Sequence, residues 1–198
     1  MALVMDLGCG TGRLPFGLHV DAGDEVVGVD KDAQKIAIAR RSYPMRQFEC
    51  APGEDLPFPD SSFDCVVSNG ALASMDIPTT LAEVRRVLIP RGRLYLRMRA
   101  PSFALRELRK CRGWLAGLGR LYVIVNGCLF HVGGKTLRIA ERSESFQTER
   151  GMRIALRRAG FVSIAFSRSQ AGLEVQARST FPTREASPVR FGQPAVAN

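Results

Sequence analysis

The sequence predicts an α/β fold in which a doubly wound, mostly parallel sheet ends in an antiparallel hairpin. Three observations carry that expectation. Short apolar runs of strand length alternate with segments of helical spacing through residues 2–99. A glycine-rich turn, Gly8-Cys9-Gly10-Thr11-Gly12, follows the first of these runs directly. The last two apolar runs are joined by a short glycine-containing turn and not by a helix.

Residues 2–7 read as a buried strand. After the glycine turn a short helix starts near Arg13, where Pro15 is tolerated because the first turn needs no N–H; Gly17 weakens it. Residues 25–30 form a second strand ending on Asp30, and Asp32 caps the helix that follows over 32–43. Residues 46–50 give a weaker third strand, and the turn-rich segment 51–62 is a loop. Residues 63–68 form the fourth strand. Pro78 opens a helix through Leu88, with Leu81, Val84, Val87 and Leu88 at helical spacing. Pro90–Gly92 make a turn, and 92–100 form a fifth strand. Alternation of this kind means βαβ units with right-handed crossovers.

Residues 101–148 break the rhythm, with a helix around 103–117 followed by the semi-apolar piece LYVIVNGCLFHVGG, and read as an insertion. An Arg-rich amphipathic helix over 148–160 precedes the hairpin FVSIAFSRS and GLEVQARS. The expected organisation is one domain over 1–178 and a disordered tail, rich in Pro, Ser and Thr, over 179–198.

No run of eighteen apolar residues occurs, which argues against a membrane-spanning helix. The start lacks the features of a signal peptide, so a cytoplasmic location is expected. The five cysteines, Cys9, Cys50, Cys65, Cys111 and Cys128, form no CxxC pair. They read as free thiols with no metal site, and Cys65 as a small core residue. The net charge is +9. It would fit nucleic acid, an acidic substrate or anionic lipid, but no block of five or six bases or interleaved aromatic pattern exists, so solvated helix faces are the preferred reading.

A glycine turn between a strand and a helix admits a ligand to the backbone, with the helix N-terminus adding a positive dipole end. The dinucleotide spacing GxGxxG fails here, because its third glycine would fall on Arg13 or Pro15. The run is instead Asp6-x-Gly8-x-Gly10-x-Gly12, an acid ahead of GxGxG, which suits a cationic ligand without phosphates.

VMDLGCGTGRL resembles motif I of class I S-adenosylmethionine (SAM)-dependent methyltransferases. VVGVDKDAQKIAIAR, GEDLPFPDSSFDCVVSNGAL and LAEVRRVLIPRGRLYL resemble, in order, their second motif, their stretch through strand 4, and their helix, turn and strand 5. The resemblance is to the type 11 group, which includes ubiquinone/menaquinone methyltransferases, strongly over 2–99 and loosely over 148–178. It implies a Rossmann-like fold, SAM as cofactor with S-adenosylhomocysteine as product, and methyl transfer to a small-molecule acceptor. Position by position, it implies that Gly8, Gly10 and Gly12 line the methionine moiety. Asp6 would favour the ammonium, and Asp30 would accept from both ribose hydroxyls, with Lys31 flanking the adenosine. Gly53 and Glu54 would lie beside adenine, and Asn69 near the methyl group. A non-catalytic SAM-binding protein and an RNA- or DNA-directed methyltransferase are the alternatives; nucleic acid is disfavoured because SNGA stands where a base methyltransferase has Asn/Asp-Pro-Pro-aromatic.

Three departures stand out. Related enzymes carry helices ahead of strand 1, which here begins almost at Met1, so a truncated start or an open site is expected. Pro52 stands where the family often has an Asp for the adenine amino group. Arg91 replaces a usual glycine, a change expected to be harmless. A general base is needed only for a poorly acidic hydroxyl. The candidates are His19 and, with more interest, His131 in the insertion, although an ordinary polar loop residue is the preferred reading of His131. Tyr95 reads as core. The apolar, Arg-flanked insertion (Trp114, Leu115, Leu118, Leu121, Tyr122, Val123, Phe130) points weakly to an apolar or lipid-linked acceptor, and a covering helix explains the same pattern. Oligomeric state is not readable from the sequence.

Overall fold

A computed structural model describes residues 1–14, 20–21, 23–98, 114–137, 147–169 and 172–180. Along the chain come β1 (Leu3–Leu7), β2 (Glu25–Asp30), α1 (Ala33–Ser42), β3 (Gln47–Cys50) and β4 (Phe63–Asn69). A 3-10 turn (Ala71–Ser74), α2 (Ile77–Val87), β5 (Leu88–Met98), α3 (Trp114–Gly133), α4 (Glu149–Arg158), β6 (Phe161–Ser169) and β7 (Gly172–Ser179) follow. The strands form one sheet in the order β3-β2-β1-β4-β5-β7-β6. All its pairings are parallel except those of β7, which runs against both β5 and β6. The expected mostly parallel sheet with a terminal hairpin is therefore observed.

The strand order reverses between β1 and β4, which makes the carboxyl end of β1 the topological switch point. β1 is fixed there in register, with Asp6 opposite Gly28 of β2 and Val67 of β4. Its residues Val4, Met5 and Leu7 are buried from both faces, as a central parallel strand requires. The start of β1 is held by two carboxylates: Asp24 Oδ1 accepts from Ala2 N–H (2.9 Å) and Asp64 Oδ2 from Leu3 N–H (2.8 Å). At its end, buried Ser68 Oγ donates to Leu7 O (2.8 Å), locking β4 to β1 beside the switch point.

Asp32 caps α1 as expected, accepting from Gln34 and Lys35 N–H. The loop 51–62 is pinned to α2 by a single guanidinium. Arg86 donates to Leu56 O, Phe58 O, Glu83 and Asp60, while Glu83 accepts from Leu56 N–H.

One expectation needs correcting. Pro90–Gly92 is not a separate turn, because α2 passes straight into β5. Phe63 pairs with Leu88 and Cys65 with Arg93, so three extra β5 residues bulge out between two rungs. Arg91 takes φ +62 in that bulge, a left-handed conformation that costs a side-chain-bearing residue ~1 kcal/mol relative to glycine, so its replacement of glycine is not free.

The semi-apolar piece of the insertion is helical and forms the second half of α3. Of the helix expected over 103–117, only 114–117 lies within the described residues, as the first turn of α3. The expected first helix, including Pro15 and Gly17, and residues 181–198 of the expected tail also lie outside them. The fold itself extends past 178: Ser179 is buried and donates to Ile89 O (2.6 Å), and Arg85 donates to the carbonyl and hydroxyl of Thr180.

α3 packs on α4 through a contact that admits no side chain. A Cβ on Gly151 would lie 2.4 Å from Phe130 O. Gly151→Ala must therefore separate the helices, and we expect it to lower unfolding free energy by ~1–3 kcal/mol in a denaturant titration; an unchanged midpoint would show that this packing contributes nothing.

Candidate active site

The turn after β1 has left-handed φ at Gly8 (+77), Gly10 (+57) and Gly12 (+84). Each glycine meets a different need. A Cβ on Gly8 would stand 2.1 Å from that of Ala71, so the 3-10 turn after β4 packs directly onto it. One on Gly12 would meet Phe48 and Ala39 at 2.9–3.0 Å, in the small cluster that joins α1, β3 and the turn. Among the described residues nothing lies within 4 Å of a Cβ position on Gly10, and its backbone faces the space beyond the turn. The turn is tethered to β2 by Gly8 and Cys9, whose N–H groups both donate to Val29 O (2.7 and 3.0 Å).

Asp30, the last residue of β2, completes the arrangement. Its Oδ2 accepts from Gly10 N–H (2.9 Å) and its Oδ1 from Asp32 N–H (3.0 Å). Both oxygens are thus oriented, and each keeps acceptor capacity. The space around them is a cavity of about 430 Å³ whose lining includes Gly8, Gly10, Asp30, Lys31, Asn69 and Met75, within the size range of small-molecule sites.

Two residues behind the turn, Asp6 is 4% exposed, and among the described residues no hydrogen bond reaches its carboxylate. Burial pushes the carboxyl up to about 7; the neighbouring charge of Asp30 adds to the rise and Arg46 works against it. Cys9 is also buried, and burial followed by the charges of Asp6 and Asp30 pushes its thiol up to about 12. It is a protonated core residue, packed with Ile36, Ala39 and Phe48, with no nucleophilic character near neutrality. Cys65, equally pushed up by burial, is the core residue expected. Tyr95 packs beside it against Val4 and Val67. Cys9, Cys50, Cys65 and Cys128 are free thiols; Cys111 lies outside the described residues.

Of the residues singled out from sequence, Gly8, Gly10, Asp30, Lys31 and Asn69 meet at the cavity, and Gly12 braces the turn from behind. Asp6, Gly53 and Glu54 are not among its lining residues; Asp6 is buried two residues behind Gly8. Gly53 is buried against Met75, whose Sδ would lie 3.0 Å from a Cβ, and Glu54 Oε1 accepts from Asp76 N–H (2.8 Å) at the start of α2. Nor does His131 line it: the ring Nδ1 lies 3.0 Å from Thr148 Oγ1, which in turn accepts from Gly151 N–H and caps α4. His19 lies outside the described residues. Sequence reading passed over Thr11, Lys35, Ala71, Ser74 and Met75, which also line the cavity. The available signal was position: Ala71, Ser74 and Met75 follow the end of β4, the strand across the switch point from β1. Among the described residues no cluster of potential metal ligands occurs.

Residues 5–96, which contain this whole arrangement, match the family described as "Methyltransferase domain". An uncharacterized methyltransferase of Mycobacterium bovis is 35% identical over 118 residues, covering 60% of this chain and 45% of that protein. A demethylmenaquinone methyltransferase of Thermus thermophilus is 42% identical over 97 residues, covering 46% of this chain and 44% of that one. The chain thus spans about half the length of the curated relatives it matches. A crystal structure of a SAM-dependent methyltransferase from Methanosarcina mazei superposes with a TM-score of 0.59 over 91% of this chain and 93% of its own, at 22% identity, and shares the fold. Residues 5–96, with their acid-led glycine turn and their carboxylate held at the end of β2, are thus similar to the type 11 methyltransferase domains.

Proposed function

We propose that this chain transfers a methyl group from SAM to a small-molecule acceptor. The observation that carries the reading is Asp30, a carboxylate held by two backbone N–H groups at the rim of the switch-point cavity. A carboxylate so fixed is preorganised to accept from the two hydroxyls of a ribose. The residues fit the rest of the cofactor. Gly10 leaves space that any side chain would fill, and the buried carboxyl of Asp6 behind the turn gains a counter-ion from an amino-acid ammonium. Lys31 flanks the nucleoside side, and Asn69 marks the opposite rim, toward the methionine end. Gly53 and Glu54 act from behind the lining, Gly53 against Met75 and Glu54 on the start of α2, beside the place that adenine would take.

When bound, SAM supplies a methyl group on a positively charged sulfur, open to in-line displacement. The chain's contribution is then to position two reactants, an effect that reaches ~7–11 kcal/mol in favourable cases. Asp30, Lys31, Asp32 and Lys35, the titratable groups among the described lining residues, all belong to the β2–α1 corner. The acceptor side therefore lacks a base among the described residues, which favours an acceptor that ionises readily or is nucleophilic without help. His131 remains a candidate only if α4's cap opens, since its ring is engaged with Thr148. An apolar or lipid-linked acceptor agrees with the quinone chemistry in the name of the Thermus relative.

Calorimetric titration with S-adenosylhomocysteine tests the site. Wild type is expected to bind in the micromolar range, and Asp30→Ala at least tenfold more weakly, since each hydrogen bond to a charged acceptor is worth ~1.5–3 kcal/mol. A folded wild type that does not bind rules the reading out.

The same titration run against pH examines Asp6. An ammonium favours the ionised carboxylate, so binding to the protonated form must release a proton. Affinity should rise by up to tenfold per pH unit as pH climbs toward about 7 and level off above it. Asp6→Asn should flatten that profile; a slope that persists in the variant would assign the proton to another group.

A further inference from the structure

α3 carries a feature that methyl transfer does not use. Leu121, Ile124, Val125, Cys128, Leu129 and Val132 recur at i, i+3, i+4, i+7, i+8 and i+11, one continuous stripe along a helix. All six are exposed, Leu121 to 58% and Val132 to 70%. The opposite face is committed: Phe130 is fully buried, and buried Asn126 exchanges hydrogen bonds with the backbone of Leu137. The stripe therefore faces outward as a fixed property of the packing.

The cations described near it lie at its C-terminal end. At the C-terminal end of α3, Lys135 is exposed and Arg158 Nη1 donates to Gly133 O, next to Val132. Exposed Arg150 and Arg157 stand on the adjoining α4, whose acid Glu149 is paired with Arg153 (3.0 Å). An apolar stripe bordered by cations matches an anionic lipid surface, where the apolar side chains enter the acyl boundary and the cations meet headgroups. A second copy fits less well, because the exposed cations Lys135, Arg150 and Arg157 would meet no described unpaired acid on the same face of the other copy. Among the described residues no helix is long and apolar enough to cross a bilayer, so α3 lies on the surface.

We propose that the outward face of α3 docks this chain on an anionic membrane surface. The test is cosedimentation of the full chain with vesicles of phosphatidylcholine alone and of phosphatidylcholine mixed equally with phosphatidylglycerol, a readout that requires no cofactor or acceptor. We expect at least tenfold stronger partitioning onto the anionic vesicles, weakened at high salt. Leu129→Gln/Val132→Gln should lose most of that partitioning without changing the melting temperature, both positions being exposed. Three results would overturn the proposal: no binding to anionic vesicles, equal binding by the double variant, or a dimer in sedimentation equilibrium that the double variant dissociates, which would make the stripe an interface between copies.

Discussion

The glycine turn after β1 is the constraint from which the rest of the site follows. Three left-handed residues within five would cost ~1–2 kcal/mol each if they carried side chains, so glycine is the residue type that makes this path cheap. The path then links three strand ends. Val29 O holds Gly8 and Cys9, Asp30 holds Gly10, and the missing side chain of Gly8 lets Ala71 close in from β4. The cavity is the space left when those ends are joined at this distance. Its position comes from the strand order, but its shape depends on hydrogen atoms where other residues have carbons.

The same geometry sets the electrostatics. Asp30 is the better-placed carboxylate, since two N–H groups satisfy it. Asp6 is buried beside that charge and holds its proton to about pH 7, whereas an unfolded chain loses it near pH 4. Between those values the native state binds the extra proton, so stability falls as pH rises across the window. A buried acid that opposes folding at neutral pH is tolerable where a bound cation offsets the cost, and a strongly shifted acid beside a cavity is the usual mark of such a site. Cys9 responds to the same two charges and becomes inert, so the chemistry left to this corner is binding and orientation.

Most of the frame was legible in the sequence because its signals are local. Strand β2, helix α1 with its Asp32 cap, and the terminal hairpin fell within a residue or two of their observed limits. So did the glycine turn and Asp30, whose roles follow from backbone geometry. What was not legible depended on contacts distant in sequence. Gly53 and Glu54 are withdrawn behind Met75 and α2, a displacement set by the Arg86 hub and by the Glu54–Asp76 contact, neither of which has a local signature. The Pro90–Gly92 segment looks like a turn by composition, yet the pull of the β4 ladder on either side makes it a bulge. His131 attracted interest because it lies in the insertion after β5; its position one helix face away, at the cap of α4, is a packing outcome.

α3 shows how far a polar residue can decide what an apolar helix presents to its surroundings. Periodicity alone leaves its orientation open, since apolar residues occupy more than one face. Asn126 removes the ambiguity. Its amide reaches Leu137 O and its carbonyl accepts from Leu137 N–H, and Tyr122, one turn earlier, donates to the same Leu137 O. Rotating the helix to bury the outer stripe would strip those bonds, at ~1–3 kcal/mol for each buried group orphaned, and would expose Phe130. It would also break the close approach of the Phe130 carbonyl to Gly151. The inward face thus wins on specific contacts, although the outward face is the more apolar of the two, and the stripe is left exposed by the packing that fixes the helix.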